Sequence, residues 1–373
     1  MRVLCLIPYL HDTVPGQRFR IEQWQSLLSH DGIVIDFQPF ESPELHAILP
    51  RGGAHLTKAW LMLKAFGRRL RLLTRVTDYD AVFLFREAAF VGPALLERWI
   101  HWRGVPIIFD YDDAIWIPQT SGANGLMTLA KCVGKTRTIA RLSTHVTPGN
   151  DYLAAFARQY ARNVTIVPTT IDTDKYVVRR PVPDRDPVVI GWSGSYSTVR
   201  YVEALREPLR DLARTERFRV RIIGGEIEPI PGVDVECVPW RSAAEVEDLN
   251  QIDIGVMPLT DDEWARGKCG LKALQYMALG IPTTCSPVGV NSQIISHDVN
   301  GLLATTREEW TEALRSLIRR PELRHRLGLR GRATVEEKYS AQSQVPRLRQ
   351  ILEQAVAERR GAPSGVLHSR TGQ

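Results

Sequence analysis

Cysteine is scarce in this 373-residue sequence, and no two cysteines form a CxxC pair. The five that occur are Cys5, Cys132, Cys237, Cys269 and Cys285. An odd number of scattered cysteines argues against a disulfide framework and against a zinc site, and it is typical of a reducing compartment. We therefore expect a cytoplasmic protein.

Long apolar runs are also missing. No stretch reaches the roughly 18–20 residues that span a bilayer. The amino-terminal run RVLCLIPYL is short and has no small-residue cleavage site, so we interpret it as a first strand and not as a signal peptide. No GxGxxG pattern follows this strand, which argues against a dinucleotide-dependent oxidoreductase.

Acidic residues are absent from one long segment, residues 51–75, which holds seven Lys/Arg and accounts for the net charge of +6. Its apolar residues recur at helical spacing on one side, and Lys64, Arg68, Arg71 and Arg75 recur on another. A basic amphipathic helix of this kind suits an anionic membrane surface. An ordinary surface helix packed on its own domain is the alternative. Nucleic acid is not expected, because no aromatic-rich basic strand accompanies the segment.

The residues that are present are typical of a globular α/β protein. The length suggests two domains of about 150–180 residues. Short β-branched or apolar runs alternate with helical stretches in both halves, which predicts two facing Rossmann-like, doubly wound domains with a cleft between them. The predicted strands are RVLCLIP, IVIDFQPF, AVFLFRE, PIIFDYDD, HVTPGN and VTIVPTTID in the first half, and VVIGWSGS, FRVRIIGGE, VDVECVPW, DIGVMPL and IPTTCSPVG in the second.

The domain boundaries follow from composition. We predict a first domain over residues 1–174 and a proline-rich, charged linker over 175–187. A second domain is predicted over 188–340, then a helix over 341–360 that packs back toward the first domain. A disordered tail is predicted over 361–373. Open α/β sheets bind ligands at the carboxyl ends of their strands, so the site is expected in the cleft.

Glycines at two strand ends of the second domain leave room for a ligand. The turn GWSGSYST contains Gly194 and Ser195, where backbone N–H groups can approach a phosphate. A tight strand-to-helix turn is the alternative explanation of this stretch. The strand RIIGGE ends at Gly224, and the missing side chain leaves space for a flat part of a ligand above the strand end.

The stretch GKCGLKALQYMALGIP predicts a helix that begins near Gly267 and carries Lys268 and Lys272 close to its amino end. A helix amino terminus with two ammonium groups suits a diphosphate, because exposed N–H groups and the helix dipole hold an anion. Solvated lysines on a surface helix would normally come with acids four residues away, and none occurs here. We therefore favour an anion site, with Gly270 and Leu271 at the turn into the helix.

The run DIGVMPL…GKCGLKALQYMALGIPTTCSPVGVNSQII…NGLLA…EEWTEAL resembles the donor-binding domain of the retaining glycosyltransferases of family 4, especially bacterial envelope-type members (glycosyl transferases group 1). The likeness extends to VPTTIDTDKY, GQRFRIEQ and FDYDDAIW and covers nearly the whole chain. It implies a GT-B fold, with a nucleotide-sugar diphosphate on the second domain and the acceptor largely on the first. It also implies transfer with retention, no required metal and no cofactor.

The sequence departs from the family where its two glutamates (E-x7-E) would fall, on Gly267 and Gln275. Gln275 can still bond a ribose hydroxyl. Gly267 cannot replace a carboxylate. The role of the first glutamate would pass to Glu263, to Asp262 or to backbone groups, or it would not be filled at all. The family's arginine after the GW.G turn is replaced by Ser195, and the nearest base for its second cation is Arg200. We expect Lys268 and Lys272 to supply the missing positive charge.

In the first domain, PGQRFRIEQ follows the first strand, where the resemblance implies a glycine loop near the reacting centre. Gly16 would let the chain come close, and three neighbours would contact the acceptor or the leaving diphosphate. These three are Gln17, Arg18 and Arg20. A helix start with surface arginines is the alternative.

The strand end FDYDDAIW supplies the candidate catalytic acids, Asp110, Asp112 and Asp113. Clustered acids suit Mg²⁺ in enzymes with a DxD motif, but here they lie opposite the predicted diphosphate site, so we predict no metal. One of them would accept or orient the acceptor hydroxyl. Helix capping by Asp112 or Asp113 is the alternative.

The expected function is transfer of a sugar from a nucleotide-sugar donor to a cell-envelope or lipid-linked glycan, on the cytoplasmic face of a membrane as a peripheral enzyme. Two alternatives stay open. A nucleotide-sugar epimerase shares the fold but needs catalytic acids and a histidine in the cleft. A non-catalytic scaffold is compatible with the missing first glutamate.

Overall fold

The computed structural model describes residues 1–49, 51–117, 132, 134–178, 185–196 and 198–361. The predicted tail beyond residue 361 and residues 179–184 of the predicted linker lie outside these ranges. Two sheets form, each with all of its strands parallel. Within the described residues, no helix is long and apolar enough to cross a membrane.

The first sheet has the strand order β2-β1-β3-β4-β5. Its strands are β1 (Arg2–Ile7), β2 (Val34–Pro39), β3 (Ala81–Phe85), β4 (Ile107–Tyr111) and β5 (His145–Pro148). The helices of this half are α1 (Pro15–Arg20), α2 (Gln25–His30), α3 (Pro43–Ile48), α4 (His55–Leu73), α5 (Leu95–Trp102), α6 (Lys135–Leu142) and α7 (Asp151–Ala157). The strand order reverses between β1 and β3, and such a switch point opens a crevice at the carboxyl ends of these strands.

The second sheet has the order β11-β10-β9-β6-β7-β8, with its switch point between β6 and β9. Its strands are β6 (Val188–Ser193), β7 (Phe218–Ile223), β8 (Asp234–Val238), β9 (Ile254–Met257), β10 (Thr283–Cys285) and β11 (Leu302–Leu303). Its helices are α8 (Arg206–Leu212), α9 (Glu245–Leu249), α10 (Glu263–Arg266), α11 (Leu271–Ala278), α12 (Asn291–Ile294), α13 (Arg307–Arg319) and α14 (Pro321–Thr334). The loops after β6 and β9 therefore meet at the ligand-binding edge of this sheet.

The last described helix, α15 (Ala341–Gly361), returns to the first sheet. Its buried Val345, Leu348 and Leu352 belong to one apolar cluster with Val3 and Phe83 of β1 and β3. The core of the first domain is thus completed by the carboxyl end of the described chain.

The predicted α/β architecture is confirmed, and ten of the eleven predicted strands overlap strands of the structure. The prediction of a strand at VTIVPTTID was wrong, because this segment forms only isolated bridges at Val164 and Ile171. Pro168 has no N–H to donate to a ladder. In addition, the carbonyl oxygens of Val167 and Thr170 accept hydrogen bonds from arginine and glutamine side chains. The two-residue strand β11 was not predicted.

A buried ion pair joins α1 to β4. Arg20 Nε donates to Asp110 Oδ2 at 3.0 Å, and both side chains are about 1 % exposed or less. Arg20 also donates to the carbonyl oxygens of Thr147 and Val167. The predicted acceptor contact of Arg20 and catalytic role of Asp110 are therefore corrected: the pair fixes α1 to β4 and β5 away from solvent.

Gln17, a second predicted acceptor contact, also has a structural role. It is fully buried, its amide donates to the carbonyl oxygens of Tyr9 and Leu10, and its Oε1 accepts from Tyr9 N. The side chain therefore holds the loop that follows β1 and does not face the cleft.

Asp110→Asn is expected to destabilise the protein by about 3–5 kcal/mol, because it leaves the Arg20 guanidinium buried without a counter-charge. Urea unfolding monitored by circular dichroism measures the loss. Asp234→Asn is the matched control, since it breaks an exposed pair with Arg219 across β7 and β8 and is expected to cost at most about 1 kcal/mol. Equal stability of the two variants would contradict the structural role of Asp110.

Candidate active site

Helix α11 begins at Leu271 and not near Gly267 as predicted. Gly270 precedes it with φ of +71°, a left-handed conformation that favours glycine, and a Cβ there would lie 2.2 Å from Ile294 Cδ1. Gly267 instead ends the short helix α10. The loop from Gly267 to Gly270 thus turns sharply into α11, and the N–H groups of the first turn of α11 have no hydrogen-bond partner within the helix.

The two predicted lysines converge at this helix start. Lys268 Nζ lies 2.7 Å from Asp113 Oδ1 and 4.6 Å from the centre of the Trp264 ring. Lys272 Nζ lies 5.3 Å from the centre of the Trp192 ring. Among the described residues, no carboxylate pairs with Lys272 and no oxygen accepts a hydrogen bond from it. One lysine therefore bridges to the first domain, and the other keeps its ammonium group available.

Three charged residues of the first domain face these lysines. Arg86 donates to Asp112 Oδ1 at 2.9 Å and 2.6 Å, and to Asp113 Oδ2 at 2.6 Å. Arg86 has φ of +59°, an uncommon conformation for a residue with a side chain, and such strain tends to occur at functional sites. The cluster combines Arg86, Asp112, Asp113 and Lys268 at the switch points of both sheets.

The electrostatics of the cluster are set by burial and by its own charges. Burial alone would raise the pKa of Asp113, but Lys268 and Arg86 together hold it below its ordinary value. Burial, and then repulsion from Lys268, lower the pKa of Lys272 to about 8. Asp113 is therefore firmly ionised near neutral pH, whereas Lys272 titrates close to that range.

Glycines allow the two halves of the cluster to approach. A Cβ on Gly16 would lie 2.4 Å from Asp112 Oδ2, and one on Gly194 would lie 2.8 Å from Lys272 Cε. Gly224, with φ of +80°, would place a Cβ 2.3 Å from the carbonyl oxygen of Gly194. The structure thus brings Gly16 beside Asp112, Gly194 beside Lys272, and Gly224 beside the carbonyl oxygen of Gly194.

Direct contacts also join the α10–α11 loop to the first domain. Asn150 Nδ2 donates to the carbonyl oxygens of Lys268 at 2.9 Å and Arg266 at 3.3 Å, and Cys269 Sγ donates to that of Asp112 at 3.2 Å. A Cβ on Gly267 would lie 2.9 Å from Ala114 Cβ. A larger side chain at Gly267, such as the glutamate that the sequence resemblance would place there, would therefore collide with the loop after β4.

Two further predicted residues are engaged elsewhere. Arg18 forms an ion pair with Glu245 of α9 at 3.0 Å, which joins the two domains outside the lysine cluster. Gln275 is buried, and its Nε2 donates to Tyr176 Oη, which in turn donates to Glu245. The prediction that Gln275 meets a ribose is corrected, because its amide is closed off by Tyr176.

The remaining predicted donor contacts lie at the rim. Glu263 is the exposed first residue of α10. Arg200 is exposed and its guanidinium donates to Tyr201 Oη at 3.3 Å. Ser195 N donates to Thr198 Oγ1 at 3.1 Å, within the turn after β6. Among the described residues, neither Glu263 nor Arg200 forms an ion pair or a hydrogen bond with Lys268 or Lys272.

Sequence reasoning left three residues of the site unassigned: Arg86, Asn150 and Trp264. Arg86 and Asn150 lie at the ends of two predicted strands of the first domain, AVFLFRE and HVTPGN, and this position is the signal that could have selected them. Within the described residues, no group of three or more His, Cys, Asp or Glu is placed to hold a metal ion.

Two facing parallel sheets with loops converging at both switch points define a GT-B fold. Residues 187–320 match the family model of glycosyl transferases group 1, so the resemblance of the second domain to glycosyl transferases of this group is confirmed. No curated protein sequence matches the chain.

Solved structures agree on the fold. Sucrose-phosphate synthase from Thermosynechococcus elongatus has a TM-score of 0.68 at 14% identity and covers 96% of this chain and 100% of its own. A glycosyltransferase from Rickettsia africae has a TM-score of 0.67 at 12% identity, covering 95% and 98%. Anabaena HepE, solved in complex with UDP, has a TM-score of 0.64 at 13% identity, covering 95% and 100%.

Binding of inorganic pyrophosphate is expected to weaken as the pH rises through about 8, because the Lys272 ammonium form that attracts the anion is lost above its pKa. Lys272→Arg keeps its charge throughout and corrects for the titration of the ligand itself. Between pH 7 and 9 the affinity of the wild type should fall about tenfold relative to this variant. Titration calorimetry measures the ratio, and a constant ratio would remove Lys272 from the anion site.

Proposed function

We propose that the protein is a retaining glycosyltransferase that takes a sugar from a nucleotide-sugar donor. The donor diphosphate would lie at the amino end of α11, between Lys268 and Lys272. The observation that carries this proposal is the half-buried ammonium group of Lys272, which lies beside the Trp192 ring and forms no ion pair or hydrogen bond with any described residue. Positive charge held in a site without a counter-charge favours an anionic ligand.

Two kinds of group would stabilise the leaving nucleoside diphosphate. The first-turn N–H groups of α11 supply hydrogen bonds and the positive end of the helix dipole. Lys268 and Lys272 supply full charges. Such fixed donors stabilise charge that develops in the transition state, and they need no metal ion to do so. We propose a metal-independent reaction on this basis.

We propose front-side displacement without a protein nucleophile. The acceptor hydroxyl oxygen forms a bond to the anomeric carbon on the face from which the phosphate oxygen departs, and that oxygen takes the hydroxyl proton. The low pKa of Asp113 supports this assignment, since a carboxylate held ionised by two cations is a weak proton acceptor. Asp113 would orient the acceptor hydroxyl by accepting its hydrogen bond.

The acceptor would lie at the carboxyl ends of the first sheet, beside Arg86 and Asp112. We propose a glycan or lipid-linked acceptor of the cell envelope, and a peripheral enzyme on the cytoplasmic face of a membrane. The basic segment over residues 51–75 supports this location, because it forms α4 with an exposed side that carries Lys64 and Arg71.

Lys272→Ala is expected to weaken UDP binding about 10- to 100-fold, the usual effect of losing a hydrogen bond to a charged group. UDP is the probe because relatives of the same fold are solved with UDP and with UDP-glucose. Lys338→Ala, which removes an exposed lysine of the same domain, is the matched control. Unchanged UDP affinity of Lys272→Ala, measured by calorimetry, would reject the diphosphate site.

Catalysis is tested by incubating the wild type with UDP-glucose and related donors. Slow release of free nucleoside diphosphate supports a transferase, because water replaces the acceptor. Interconversion of the sugar without release would identify an epimerase instead. Binding without either reaction would identify a scaffold.

Asp113→Asn is expected to tighten UDP binding by up to about tenfold, because it removes the carboxylate that competes with the diphosphate for Lys268. The same change should slow transfer to acceptor. Asp112→Asn is the control, since its ion pair is with Arg86. An Asp113 variant that bound UDP like the Asp112 variant would show that the interdomain ion pair does not compete with donor.

A further inference from the structure

Exposed apolar side chains concentrate on two neighbouring helices of the first domain. On α4 they are Leu56, Trp60, Leu63 and Leu70, and on α5 they are Leu95, Trp99 and Trp102. Trp60 is 56% exposed and Trp102 is 72% exposed. In the part of the chain that the structure describes, every tryptophan among the exposed large hydrophobic residues belongs to this group. We call this surface the α4–α5 face.

The two helices form one continuous surface. Trp99 Nε1 donates to the carbonyl oxygen of Leu73 at the end of α4, at 3.2 Å. The rings of Trp99 and Trp102 lie 5.0 Å apart. The exposed residues of α5 are spaced i, i+4 and i+7, and those of α4 begin with the same spacing, so each helix presents a single stripe.

The exposed charged side chains that α4 and α5 themselves carry are all basic. Lys64, Arg68, Arg71 and Arg98 are exposed, and Lys64 Nζ lies 5.2 Å from the Trp60 ring. Helix α4 contains no acid, and the one acid of α5, Glu97, is buried. Apolar stripes with exposed tryptophan and a basic border complement the interface of a bilayer with anionic headgroups.

The opposite side of α4 contacts the strand ends of the first sheet, where we propose that the acceptor binds. Arg69 is buried and donates to the carbonyl oxygens of Ile7, Gln38 and Ala88, at or beyond the carboxyl ends of β1, β2 and β3. Arg69 thus fixes α4 to the strand ends at which ligands bind in such sheets, and the proposed acceptor site lies at these ends.

We propose that the α4–α5 face docks the protein on an anionic lipid bilayer, with Trp60, Trp99 and Trp102 in the interface. Docking in this orientation sets the acceptor half of the cleft against the membrane. This orientation favours an acceptor with a lipid anchor, an inference that rests on the proposed function. The docking itself does not depend on catalysis.

Flotation with vesicles tests the docking in the absence of donor and acceptor. The wild type is expected to float with phosphatidylcholine–phosphatidylglycerol vesicles and to remain with the soluble fraction when phosphatidylcholine vesicles are used. Trp60→Ser/Trp102→Ser should weaken binding about tenfold or more, because two large apolar side chains no longer enter the interface. Lys64→Glu/Arg71→Glu should weaken it by at least about tenfold, given the contribution of each cation near an anionic surface.

Controls on the second domain separate this face from general charge and hydrophobicity. Leu329→Ser removes an exposed apolar residue, and Arg214→Glu/Arg217→Glu reverses two exposed charges. Both should bind vesicles like the wild type, and equal losses in these controls would overturn the proposal. So would a wild type that does not float, or a dimer in light scattering that Trp60→Ser/Trp102→Ser dissociates.

Donor hydrolysis distinguishes a failure of docking from a failure of the proposed function. Trp60→Ser/Trp102→Ser should release nucleoside diphosphate from UDP-glucose at the wild-type rate while it fails to float. A wild type that floats but neither binds UDP nor releases it would reject the transferase and leave the docking surface in place.

Discussion

The ion pair between Asp113 and Lys268 is the interaction on which the arrangement of the cleft depends. It joins the end of a strand in one domain to the start of a helix in the other, over 155 residues of sequence. Arg86 holds Asp113 from the opposite side, and Asn150 binds the carbonyl oxygen of Lys268. Both domains therefore contribute charge to one small volume, and a ligand that carries its own negative charge must exchange with this internal carboxylate.

The fold could be predicted because apolar strand runs alternate with helical stretches throughout both halves. The failure at VTIVPTTID has a physical cause that propensity does not contain. The side chains of Arg20 and Gln23, which are distant in the sequence, donate hydrogen bonds to carbonyl oxygens of this segment in place of a neighbouring strand. Strand β11 was missed because a strand of two residues is too short to show an alternation of apolar and polar residues.

The site was predicted in part. The spacing of Lys268 and Lys272 and the absence of nearby acids indicated an anion site, because both are local properties of the sequence. The partners of buried polar groups are not local. Gln275 lies on the expected helix, but Tyr176 Oη accepts its hydrogen bond. Arg20 was predicted to contact the acceptor or the leaving diphosphate, yet Asp110 and two carbonyl oxygens surround it. Such pairings depend on how distant segments of the chain are arranged, and this arrangement cannot be read from a single sequence.

The loop after β4 also gives a reason for the glycine at position 267. Ala114 occupies the space that a side chain there would need. The carboxylate nearest the lysines comes instead from Asp113, in the opposite domain. The charges of the cleft are thus divided between the domains, with the lysines on the second and the carboxylate on the first, so the site is complete only when the two halves are in contact.

The return of α15 to the first sheet has a consequence for synthesis on the ribosome. Ile171 and Ser340 form a bridge where the chain re-enters the first domain, and Leu348 and Leu352 then cover β1 and β3. Translation proceeds from the amino terminus, so these apolar strands emerge long before the helix that covers them. The second domain can fold as a continuous stretch of nascent chain, whereas the first one has to wait for the final helix.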